Sequence, residues 1–144
     1  MAVILVKKKF VGDATFDKLK LWVIPVGIQG QKRKLNFNLL LDTGAQRTVI
    51  IPKVKEILGL QEVTEEPLRG EGTTGSSKYS TAIANLEIGS INLLEVKVLV
   101  GSLPGAYSKY QILGILGADV LQSLSLKIDY PEGILEIERL TSYY

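Results

Sequence analysis

The chain has no cysteine and no histidine among its 144 residues. Composition alone therefore excludes thiol nucleophiles, structural disulfides, Cys/His zinc sites and every triad that needs an imidazole base. Any proton chemistry falls to carboxylates, lysine or tyrosine. An excess of one charge sign is also missing. With 17 basic residues against 15 acidic ones, no broad field favours nucleic acid or an anionic membrane as partner. Two local basic spots, Lys7-Lys8-Lys9 and Lys32-Arg33-Lys34, read as solvated charges that discourage edge pairing of strands, with phosphate contact as the alternative. Aromatic residues make up 7%, which leaves little stacking surface for single-stranded nucleic acid. No apolar run approaches membrane-spanning length, and the opening MAVILVKKKF sets its apolar residues before its lysines, the reverse of a secretory signal. Lack of disulfides suits a reducing compartment, so the expected location is cytoplasmic.

What is present is alternation with a period of two. In KLNFNLLLD, Leu35, Phe37, Leu39 and Leu41 share one face, and Lys34, Asn36 and Asn38 share the other until Leu40 breaks the pattern. That describes a half-buried strand becoming fully buried just before Asp42. Further strands are expected over residues 3–6, 19–28, 83–88, 94–100, 126–130 and 134–138. Pro131, Glu132 and Gly133 supply a tight turn between the last two. Two short helices are expected. In PKVKEILGL, Pro52 suits a first helical position, Val54, Ile57 and Leu58 share a face, and Gly59 ends the helix. In ADVLQSL, Val120, Leu121 and Leu124 come together, and Asp119 in the first turn is favoured by the helix dipole. Residues 1–144 read as one domain.

The stretch LLLDTGAQRTVI, residues 39–50, drives a continuous apolar run into Asp42 and returns at once to Thr48, Val49 and Ile50. Desolvating a carboxylate costs several kcal/mol unless hydrogen bonds or function compensate. Hydrolysis by carboxylates alone needs two of them sharing one proton, one acting as base toward water and the other as acid. Asp42 can supply one. Thr43 can donate a hydroxyl bond, and Gly44 lets the backbone N–H approach the carboxylate. The bland reading of the same residues is a turn at a strand end, where Asp, Thr and Gly are at home. Downstream, RGEGTTGSSKY carries Gly70, Gly72 and Gly75 and almost nothing apolar, which reads as a lid on a hairpin, with a linker and a phosphate loop as weaker candidates.

Leu41-Asp42-Thr43-Gly44-Ala45 resembles the active-site loop of the retropepsins, the retroviral-type aspartic proteases. The order of neighbouring segments strengthens the likeness: Leu21-Trp22 and Pro25 before the loop, the Gly-rich hairpin after it, then VLVGSLPG at 98–105 and ILGILGADVL at 112–121. The resemblance covers roughly residues 19–137. It implies an all-β, retropepsin-like acid protease fold, a closed β-barrel with one or two short helices, working as a homodimer. Residues 1–18 would form an N-terminal extension with a candidate extra strand, and residues 66–82 a flap hairpin.

By the same resemblance Asp42 would be the catalytic residue of an aspartic endopeptidase, and Thr43, Gly44 and Ala45 its active-site loop. Gly70, Glu71, Gly72, Thr73, Thr74 and Gly75 would form the flap tip. Val100, Leu103 and Pro104 would wall the substrate pocket, and Gly114 and Gly117 would pack beside the loop. The chain has one Asp-Thr-Gly, so a dyad requires Asp42 from two chains on a two-fold axis. The implied partners are a second copy and a peptide or unfolded protein bound as an added strand, with no metal, cofactor, nucleic acid or membrane. Three features depart from the family pattern: the N-terminal extension, the longer wall loop at 106–111 with Tyr107 and Tyr110, and the polar flap tip. Ala45 lacks a hydroxyl that would favour the ionised carboxylate, which predicts a less acidic optimum than in a Ser-containing relative. A non-catalytic peptide- or protein-binding module with the same fold is the alternative.

Overall fold

Burial along one strand shows how the fold treats Asp42. In the computed structural model, which describes residues 2–69 and 78–141, β3 (Lys34–Leu41) starts exposed and ends with Leu39, Leu40 and Leu41 all buried. Its exposed start pairs antiparallel with β2 (Val23–Gln29), Ile28 opposite Leu35 and Ile24 opposite Leu39. Its buried end also runs parallel to β8 (Gly114–Leu116). A strand covered on both faces reads as a continuous apolar run, which is why Leu40 breaks the alternation.

The remaining pairings close a ring. β4 (Val49–Ile50) lies antiparallel to β8 and parallel to β7 (Ile91–Val100). β6 (Lys78–Ile88) runs antiparallel to β7, and its far end, Asn85 to Glu87, pairs with Gln29 to Gly27 of β2. The circuit β2-β3-β8-β4-β7-β6 is thus a closed, mixed, six-stranded barrel, with β5 (Gln61–Arg69) attached outside β6. A register shift between Ala84 and Leu86 bends β6, as bulges do where a strand must serve two partners. There the Asn85 side chain accepts the N–H of Glu95 at 2.8 Å, and Glu95 takes a left-handed φ of 52°.

A second sheet has the order β1-β10-β9, built from β1 (Ala2–Lys9), β10 (Ile134–Thr141) and β9 (Ser125–Asp129). The turn between β9 and β10 contains Gly133 at a φ of +64°, the conformation expected of that position. Phe10, Phe16 and Trp22 are buried in the core shared by both sheets. Their rings lie 4.7 to 5.9 Å apart, and Tyr130 meets Trp22 edge-on at 5.2 Å.

Helices α2 (Pro52–Leu58) and α4 (Ala118–Leu121) occupy the two expected places, α2 closed by Gly59 at φ +66° and α4 ending before Leu124. Two others appear: α1 (Ala14–Leu19), capped by the Asp13 carboxylate accepting from Phe16 N–H at 3.1 Å, and α3 (Ala106–Lys109). The strand expected from residue 19 therefore begins only at Val23, because the Asp13 cap starts a helix and left-handed Lys20 ends it. Among the described residues no helix is long and apolar enough to cross a membrane.

Candidate active site

Two backbone bonds fix where β3 releases the chain: Leu41 N–H donates to Trp22 O at 2.9 Å and Asp42 N–H to Leu116 O at 3.0 Å. The segment then turns on its own carboxylate. Gly44 N–H donates to Asp42 Oδ1 at 2.9 Å, and Ala45 N–H to Asp42 O at 3.2 Å. A Cβ at residue 44 would stand 3.3 Å from Asp42 Oδ1, tighter than ordinary contact, so glycine gives the N–H its close approach. Asp42 is half-buried, Thr43 and Gly44 are exposed, and Ala45 is half-buried. Among the described residues no other donor reaches the Asp42 carboxylate, so Oδ2 has its lone pairs available.

The return of the loop is locked to the segment around α4. Thr48 is fully buried. Its N–H donates to both oxygens of Asp119 at 2.9 and 3.0 Å, and its hydroxyl donates to Asp119 Oδ1 at 2.7 Å. The same hydroxyl accepts the N–H of Gly117 at 3.0 Å. Val120 N–H adds a bond to Asp119 Oδ1 at 2.9 Å, and Arg47 Nε lies 3.5 Å from Oδ2. Ala118 and Asp119 donate their N–H groups to Ala45 O and Gln46 O at 2.7 and 3.1 Å. A Cβ on residue 117 would lie 2.5 Å from the Arg47 carbonyl carbon, and one on residue 114 would lie 2.7 Å from Val49 O. Both glycines allow backbone to lie on backbone. Asp119 stands in the first turn of α4, as read from sequence, and is also the acceptor that ties residue 48 to residue 119. The sequence reading took Thr48 only as part of the return to an apolar run; a hydroxyl residue between the loop and Val49-Ile50 was the available signal.

A cavity of about 290 Å³ opens beside the loop, lined by Asp42, Thr43, Leu21, Trp22, Tyr107, Ile128 and Tyr130 among others. Tyr107, from the lengthened wall loop, thus stands near Asp42. The indole Nε1 of Trp22 is buried and meets no hydrogen-bond acceptor among the described residues. Val100 lines a different and larger space of about 760 Å³, together with Tyr79, Gly101 and residues of α2 and β5. Leu103 is half-buried and Pro104 exposed, and neither borders the cavity at Asp42. The expected flap tip, Gly70, Glu71, Gly72, Thr73, Thr74 and Gly75, lies outside the described residues.

Comparison with known proteins agrees with this geometry. The aspartyl protease family matches residues 24–120, more than half of the chain, and the chain belongs to that family. Among solved structures it is similar to a retropepsin-like aspartic protease from Rickettsia conorii, with a TM-score of 0.65 and 17% identity over 96% of this chain and 92% of the other. It is also similar to EIAV protease complexed with the inhibitor HBY-793, with a TM-score of 0.55 and 22% identity over 76% and 92% of the two chains. A third likeness is to the retroviral protease-like domain of Ddi1 from Leishmania major, with a TM-score of 0.52 and 16% identity over 80% and 86%. These establish the retropepsin-like barrel. No curated protein matches the chain.

Proposed function

We propose that the chain is an aspartic endopeptidase whose active unit is a homodimer, with Asp42 of each copy sharing one proton across a two-fold axis. The ionised member takes a proton from water as the water oxygen attacks the peptide carbonyl carbon, and the protonated member donates to the carbonyl oxygen. Collapse of the tetrahedral intermediate expels the amine, which leaves with a proton from the dyad. The pair titrates as a unit. Thr43 and Gly44 hold the two loops in register, Gly114 and Gly117 let the α4 segment support them from behind, and residues 66–82 close over the peptide. Val100, Leu103 and Pro104 favour apolar side chains beside the cut. Residues 1–144 act as one domain, and absence of cysteine supports a cytoplasmic setting.

The observation that supports this reading most is the state of Asp42: a carboxylate just past the buried end of β3, held through one oxygen by Gly44 N–H, with no further donor among the described residues. The test is cleavage of a peptide library by wild type and Asp42→Asn, with sedimentation to monitor assembly across dilution. Cleavage lost in the variant with assembly intact is the expected result. Equal cleavage by both overturns the proposal. A second reading, a peptide- or protein-binding module on the same barrel, draws support from the likeness to a domain described as protease-like; library binding without cleavage by wild type is its signature.

A further inference from the structure

We infer that the gap between the second sheet and the barrel is a binding site for a medium-chain carboxylate, a ligand independent of the peptide chemistry at Asp42. A cavity of about 200 Å³ lies there. Val6, Leu135 and Ile137 of β1 and β10 form one wall, and Ile24 and Ile88 of β2 and β6 form the other. Ile24, Ile88, Leu135 and Ile137 are all buried, so these walls offer a ligand hydrocarbon and no hydrogen bond. Gly89 holds one corner open, since a Cβ there would stand 2.8 Å from Val6 Cγ2. Apolar space of this kind stays dry, and about 150 Å³ of it is enough to hold benzene. By the same proportion this gap takes a chain of about eight carbons.

Charge at the border selects the head group. Lys7 and Lys8 are the charged residues that line the cavity, and no acid joins them. Alternation along β1 sends the two lysines to opposite faces. Lys7 is exposed and pairs with Glu136 at 3.4 Å. Lys8 is half-buried and shares the inner face with Val6 and buried Phe10, opposite Leu135 of β10. Its ammonium lies 4.8 Å from the centroid of the Phe10 ring and forms no ion pair among the described residues. A cation partly withdrawn from water, with a ring face on one side, keeps N–H donors for an anion. A carboxylate on a short alkyl chain meets both demands, its head at Lys8 and its tail between the two walls. An amine head would meet like charge, and a neutral chain would leave the Lys8 donors unused.

The test is calorimetric titration of the full-length chain with straight-chain carboxylates from butanoate to dodecanoate, and with octanol. Affinity should rise about fourfold per added methylene as far as octanoate and then level off, because the space is full. Octanoate should bind roughly tenfold more tightly than octanol, and Lys8→Gln should erase that difference while leaving octanol binding unchanged. Val6→Phe puts a ring into the gap and should weaken both ligands alike, with thermal unfolding of the free variant confirming its fold. Octanoate at ten times its dissociation constant should raise the wild-type unfolding midpoint by about 4–6 °C. No saturable binding and no midpoint shift with millimolar octanoate overturns the site. Affinity that climbs without a break to dodecanoate overturns it too, since adsorption on an open surface has no length limit. Equal binding of acid and alcohol by wild type, or indifference to Lys8→Gln, overturns the carboxylate. Peptide cleavage enters none of these readouts, so their failure leaves the Asp42 reading intact.

Discussion

Asp42 and Asp119 lie on either side of one backbone seam and are treated in opposite ways. Asp119 receives the N–H and hydroxyl of Thr48, its neighbour Val120 N–H, and the Arg47 guanidinium. Asp42 receives Gly44 N–H. A carboxylate whose lone pairs are taken up is a structural fastening, since its satisfied bonds hold it in one place. A carboxylate held by one oxygen is positioned yet keeps acceptor capacity for water or a second acid. The two sit within one hydrogen-bonded assembly, so the saturated group sets the position of the loop that carries the unsaturated one.

Substitutions at the two sites should separate these roles. Asp42→Asn keeps the acceptor for Gly44 N–H and loses the acid, so cleavage should fall by about 10³-fold or more while stability changes by no more than about 0.5 kcal/mol; peptide turnover and urea unfolding of the same samples check this. Asp119→Ala reverses the pattern. It strands the buried Thr48 N–H and hydroxyl and should cost about 3 kcal/mol in unfolding free energy, with cleavage lost in proportion to the fraction unfolded or displaced. Gly117→Ala forces a Cβ against the Arg47 backbone and should cost about 1–3 kcal/mol, read from the urea midpoint. Arg47→Ala removes only a partly exposed ion pair, for which under about 1 kcal/mol is expected; a larger loss would show Arg47 to be part of the fastening. The smallest effect is expected at Ala45→Ser. A hydroxyl beside the carboxylate favours its ionised form, so the cleavage optimum should move to lower pH, and superimposable wild-type and variant pH profiles would defeat that expectation.

The barrel strands were legible where apolar alternation was long, as in 34–41 and 83–88, because period-two burial is written locally. The run LLLDTGA also announced itself, since a carboxylate between apolar runs is chemically costly. Three things were hidden. β4 and β8 span two and three residues and owe their conformation to partners far away in the chain, so no periodicity marks them. The Thr48–Asp119 fastening joins positions 71 residues apart, and a local reading saw only a helix dipole at Asp119. α1 was not expected, and only its last residue, Leu19, fell within a predicted strand, because the Asp13 side-chain cap and the left-handed Lys20 that decide the backbone there leave no apolar period. Val100, a pocket-wall residue by resemblance, lines the space formed with Tyr79, Gly101 and residues of α2 and β5, a neighbourhood set by tertiary packing that no local pattern discloses.

The pairing of β1 with β10, running from Ala2 opposite Thr141 to Lys9 opposite Ile134, also orders events in time. Hairpins such as β2-β3 and β6-β7 close between neighbours, whereas the β1-β10 seam spans nearly the entire polypeptide and carries the largest loop-closure entropy. A chain emerging from the ribosome can therefore begin its barrel early, while β1 waits for β10. The β1-β10-β9 sheet is therefore the last layer to form, and any surface built on it exists only once the β9-β10 hairpin is in place.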